Sequence, residues 1–187
     1  MGKPTHRRYT PTARTLHWLI ALLIGVQFVL ARVAAHLPLG VRKLSLLAEH
    51  KSVGMTVLIL ALIRVAWRVK HPPPPLPPEM RRAARFLAGA SHWSLYVILF
   101  AMPLSGWLMS SAKNYSVSWF GVFSWPNLIA PNEAAFDSLR ALHHLLSKVL
   151  IAIASLHILA AFKHHFWNKD EVLVRMLPAF RSENKSG

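Results

Sequence analysis

Four apolar stretches, each long enough to cross a bilayer as a helix, constrain this chain more than any other feature. They cover residues 16–35, 44–69, 88–111 and 137–165. A membrane helix needs about 20 mostly apolar residues. Inside hydrocarbon a helix also satisfies its own backbone hydrogen bonds, so a run of this length has few alternatives. Only 16% of the 187 residues are charged and 53% are hydrophobic, whereas a soluble domain carries about 25% charged residues. The expectation is an all-α transmembrane four-helix bundle, one domain spanning residues 1–187, with lipid as its main solvent.

The punctuation agrees with four spans. The run from His71 through four prolines, Leu76, Pro77 and Pro78 cannot be helical, because proline lacks a donor and disfavours helix before it. It is expected to be a stiff extended connector, which argues against a ligand role for His71. Pro103 and Gly106 lie inside the third span, where a membrane helix tolerates proline with a kink. Residues 113–136 form a longer connection with Trp119, Phe120, Phe123 and Trp125, aromatics suited to anchoring at the membrane–water interface. The first span follows a basic tail and ends near Val33, Ala34 and Ala35, a pattern shared with signal peptides. Arg32 interrupts the cleavage region and His17 lies within the span, so a retained helix is expected.

The net charge of +15 raises the question of nucleic-acid binding. The basic residues flank the apolar spans and form no single patch, so a topological origin is preferred and no nucleic-acid partner is expected. Lys3, Arg7, Arg8 and Arg14, the basic residues of 64–85, and Lys163, Lys169, Arg175, Arg181 and Lys185 fall on one face. Arg32, Arg42, Lys43, Lys51, Lys113, Arg140 and Lys148 fall on the other. The richer face, which carries both termini, is expected to be cytoplasmic; in a bacterium the other face is periplasmic.

There is no cysteine. This excludes disulfides, thiolate-ligated iron–sulfur clusters and covalent haem attachment through Cys-x-x-Cys-His.

Histidine supplies the chemistry. Ionisable groups at membrane depth are costly and usually functional, and His17, His50, His92, His143 and His157 all fall within or at the ends of the spans. His143 and His157 are 14 residues apart, close to four helical turns, so they share one face about 21 Å apart. That separation suits two stacked haems, whereas one chelated ion needs spacing nearer i and i+4. Leu150 and His164 continue the stripe, and Ser147, Ala154 and Ala161 are small enough to leave room for a flat macrocycle. Depth matching pairs His50 with His143 near the outer end and His17 with His157 near the inner end. His92 is the rival to His17, and its simpler role is a hydrogen bond between helices. Met55, Met102 and Met109 are expected to pack. Arg64 lies 14 residues beyond His50, where it could neutralise a haem propionate. Gly54 and Gly106 remove side chains that would meet a porphyrin.

These residues carry a resemblance. Leu16-His17-Trp18-Leu19, His50-Lys-Ser-Val-Gly54 followed by Arg64 and Arg68, Ala101-Met-Pro-Leu-Ser-Gly106, and His143 and His157 followed by His164-His165-Phe-Trp167 resemble the bacterial cytochrome b561 family. The likeness runs through nearly the whole chain. It implies two haem b groups in the bacterial inner membrane, with His17 and His157 on the inner iron and His50 and His143 on the outer. It further implies a superoxide oxidase, passing electrons from periplasmic superoxide to ubiquinone. Arg42, Lys43, Lys51 and Arg140 are then candidates to steer the superoxide anion. Lys163, His164, His165 and Trp167 are candidates to bind a quinone or relay its protons. Two other readings stay open: a cytochrome subunit serving a partner dehydrogenase or hydrogenase, and a haem-free helical transporter or assembly protein. The last would be supported by membrane carboxylates, of which Glu49 is the one near a helix face.

Overall fold

The structure is a computed structural model and describes residues 8–75 and 80–177. Lys3, Arg7, Arg181 and Lys185 of the charge count, and Leu76, Pro77 and Pro78 of the connector, lie outside the described residues. The chain forms an all-α bundle of four helices: α1 Pro11–His36, α2 Val41–Lys70, α3 Arg82–Ala112 and α4 Glu133–Phe162. All four are long and apolar enough to span a membrane.

Each helix starts before its apolar stretch, and two capping residues show why. The Thr10 hydroxyl accepts from the Ala13 N–H at 3.3 Å, with proline next in line at the first helical position. Asn132 does the same for α4, accepting from the Ala135 N–H at 2.9 Å. Side-chain oxygens at the N-cap satisfy donors that a helix start leaves free, so the boundaries follow the caps in the polar flanks. α3 runs through Pro103 without a break. α4 ends at Phe162, short of the expected 165, and continues as a π-turn over Lys163–Trp167. The Asn168 N–H bonds the Lys163 carbonyl at 3.0 Å, the i→i+5 pattern that widens the turn.

α1 packs along α2, α2 against α3, and α3 along α4. One core cluster joins Ile20 of α1 with Val57 and Ala61 of α2 and Leu99 of α3. α4 contributes little to it: Leu150 is its one buried residue among those described. Nor does α4 share extensive backbone contact with α1 or α2. A gap runs between α4 and that helix pair.

The connection after α3 is more ordered than the sequence suggests. β1 (Val117–Trp119) and β2 (Phe123–Trp125) pair antiparallel, with Ser118 opposite Ser124. The turn between them uses left-handed backbone at Phe120 (φ 49°) and Gly121 (φ 76°). Ser52 of α2, almost fully buried, holds the hairpin down. Its hydroxyl accepts from the Phe120 N–H at 3.1 Å and lies 2.9 Å from the Ser118 and Ala48 carbonyls. Trp119 donates to Thr56 Oγ1 at 3.0 Å. Trp119 and Trp125 pack on a cluster of Met55, Leu58 and Val117, with Trp107 beside them. Met55 thus packs, as expected. Only Phe120 and Phe123 of the four aromatics are left exposed, as interfacial anchors would be.

The opposite end carries the termini and is tied together by basic and indole donors. Arg14 donates to the Leu177 carbonyl at 2.9 Å, Trp18 to Met176 at 2.9 Å, and Arg175 to Pro75 at 2.8 Å. Burial there pushes the Tyr9 hydroxyl pKa up, against the pull of nearby Arg68 and Arg64.

Candidate haem-ligand site

α4 places His143 toward the hairpin end and His157 toward the terminal end, with buried Leu150 midway between them. Each imidazole reaches across the gap to another helix. The rings of His50 and His143 have centres 6.4 Å apart, and those of His17 and His157 are 6.3 Å apart. An imidazole nitrogen sits about 2 Å from a metal that it binds, so two rings on opposite sides of one iron have centres about 6 Å apart. Both pairs meet that spacing. His92 also reaches His157, but at 5.2 Å, closer than two rings flanking one metal. His71 takes no part; it stacks on Trp67 at 4.1 Å.

Two observations bear on what fits between the rings. Among the described residues, no three His, Cys, Asp or Glu side chains are grouped to hold a bare metal ion. Each level offers two imidazoles, a donor set that suits a metal whose other ligands come from a macrocycle. Finally, α4 stands off from α1 and α2 along the side where these rings meet.

The two glycines each admit a protein group. A Cβ at Gly54 would stand 2.9 Å from Gln27 Nε2, and one at Gly106 would stand 3.2 Å from His143 Cε1. Gly54 therefore admits the Gln27 amide, which donates to the His50 carbonyl at 3.0 Å. Gly106 admits the imidazole itself. One Arg64 guanidinium nitrogen donates to the Ala13 carbonyl at 2.7 Å.

The outlying candidates are more scattered. Arg42 and Arg140 are exposed at the hairpin end. Lys43 donates to the Leu37 carbonyl at 3.0 Å. Lys51 donates to Ser116 at 3.2 Å and lies over the Tyr115 ring, so only part of this basic set is free of protein partners. At the other end Lys163 and Trp167 are exposed, and His165 packs edge-on to Phe166. His164 is held by Asp170, Nδ1 to Oδ2, at 2.5 Å.

Sequence reasoning gave no role of their own to three residues: Ser105, Gln27 and Asp170. Ser105 Oγ lies 2.9 Å from His143 Nδ1. Gln27 carried a signal, being an uncharged amide in the middle of an apolar span. Asp170 is six residues past His164 and meets it only because the π-turn and a left-handed Lys169 (φ 51°) fold the chain back.

Comparison with known proteins decides the family. Residues 8–179 match the model for prokaryotic cytochrome b561. The chain belongs to the prokaryotic cytochrome b561 family. It is 36% identical to cytochrome b561 homolog 2 of Escherichia coli (strain K12), over 92% of this chain and 93% of the relative. It is 29% identical to the probable superoxide oxidase CybB of Yersinia pestis, over 94% and 99%. Cytochrome b561 homolog 1 of the same E. coli strain is 26% identical over 91% and 97%. As a cytochrome b561, the chain is a multi-pass membrane electron-transfer protein of a family that binds haem b.

Proposed function

We propose that this cytochrome b561 is a single di-haem domain that carries electrons from superoxide to ubiquinone across the bacterial inner membrane. The observation that carries the reading is the pair of imidazole couples at 6.3 and 6.4 Å, both anchored on α4. His50 and His143 would hold one haem b, and His17 and His157 the other. Bound haem b would supply one-electron transfer, with two imidazoles of the chain to hold each group. The superoxide assignment draws support from the relative called a probable superoxide oxidase, at 29% identity.

The remaining roles fall to the chain's own residues. The surplus of Lys and Arg at the terminal end supports a cytoplasmic side for it, which would put the hairpin end in the periplasm. There Arg42 and Arg140, with Lys43 and Lys51 behind them, create a positive rim that attracts the superoxide anion. Two superoxide ions each lose one electron and leave as dioxygen. One ubiquinone takes up those two electrons with two protons and becomes ubiquinol. At the terminal end Lys163, His165 and Trp167 would border the quinone, and His164, oriented by Asp170, would pass it protons. Arg64 would pair with a haem propionate through the guanidinium nitrogens not bonded to Ala13.

The test is purified cytochrome with superoxide and a soluble ubiquinone. Ubiquinol should form catalytically with no partner protein added. Superoxide loss no faster than spontaneous dismutation, with haem intact, would instead assign the chain to serving a dehydrogenase or hydrogenase. A purified protein without a Soret band would remove the haem reading altogether.

A further inference from the structure

Ser105 is the one side chain that hydrogen-bonds any of the four proposed ligand imidazoles among the described residues. It lies on α3 at 4% exposure, with Oγ 2.9 Å from His143 Nδ1 and 2.8 Å from the Met102 carbonyl. A hydroxyl has one hydrogen to donate and lone pairs to accept. The Met102 carbonyl is only an acceptor, so the serine hydrogen goes there. What Oγ then offers His143 is a lone pair, and Nδ1 must carry the proton. The neutral ring is left with its free electron pair on Nε2, the atom that a metal requires. The next residue completes the seat: the Gly106 backbone approaches so closely that a Cβ there would stand 3.2 Å from His143 Cε1.

We infer that Ser105 is a positioning residue that fixes the tautomer and ring orientation of His143 and thereby lowers the potential of the haem bound there. The inference rests on the reading of His143 as an axial ligand. A ligand imidazole that donates its second N–H to an acceptor becomes more basic, which favours the oxidised metal. This tuning acts on the His143 side of one haem, and the two haems differ in potential partly for that reason.

The experiment compares S105A, S105T and H143A in the purified holoprotein by haem count, redox titration and low-temperature EPR of the oxidised state. H143A should lose one haem, which identifies the haem in question. S105A should keep two haems, with the midpoint of that haem shifted upward, its low-spin EPR signal moved, and the other haem unchanged. S105T, which keeps the hydroxyl, should restore both values. Loss of the haem in S105A with retention in S105T would also support the role. Two haems with unaltered midpoints and EPR in S105A, or equal loss in S105A and S105T, would overturn it. Retention of both haems in H143A would instead refute the ligand assignment beneath it.

Discussion

His17 and His92 compete for the same partner, His157, and the distances separate them. Ring centres at 6.3 Å leave room for a metal between His17 and His157, while 5.2 Å from His92 gives an edge-on ring contact. His92→Ala should therefore keep both haems, and His17→Ala should lose one, as counted by pyridine haemochrome against protein. The reverse outcome would exchange the two residues. The glycines give a second test at this scale. Gly54→Ala pushes only on the free end of Gln27 and sacrifices one hydrogen bond, a cost of about 1 kcal/mol. Gly106→Val drives a branched side chain into the His143 ring, where overpacking costs about 1–3 kcal/mol. Thermal melting should register both changes. The spectrum of the haem proposed to lie between His50 and His143 should change only in Gly106→Val.

Among the elements, the hairpin and the π-turn were the least visible in the sequence, for different reasons. The helices were legible because apolar length in a bilayer leaves one solution, and the α4 stripe because a 14-residue interval nearly closes four turns. The hairpin strands are three residues each, too short for alternation to stand out from an aromatic-rich loop. Their anchor, Ser52, looks like any serine in a helix until its partners at Ser118 and Phe120 are known. The π-turn leaves no periodic trace, and with it went the meeting of His164 and Asp170. Depth matching anticipated which histidine rings face one another, yet the second partners of those imidazoles depend on rotamers, and the role of Ser105 escaped for that reason. Ser52→Ala would leave the Phe120 N–H and the Ser118 carbonyl without their shared partner. A buried unsatisfied group costs about 1–3 kcal/mol. Melting should fall accordingly, and proteolysis between Tyr115 and Pro126 should quicken, with the haem count unchanged.

For the molecule as a whole, the distribution of burial leads to a statement about haem and folding. α1, α2 and α3 share a core around Ile20, Val57, Ala61 and Leu99, whereas α4 buries Leu150 and touches α3 alone over any length. In a bilayer, helices gain little from the hydrophobic effect on associating and depend on close packing and polar contacts. α4 has few of either across the gap, where its imidazoles meet those of α1 and α2. A flat group held at each pair of rings would join α4 to the other helices through two pairs of bonds and a large apolar surface. Anything that binds the folded state alone stabilises it by mass action. Protein made without haem should therefore still insert four spans, but α4 should exchange its amide hydrogens faster than α1 and α2, and melting should fall well below that of the holoprotein. Adding haem should restore slow exchange in α4 first. Equal protection of all four helices with and without haem would mean that α4 is held by protein contacts alone, and the gap beside it would then need another occupant.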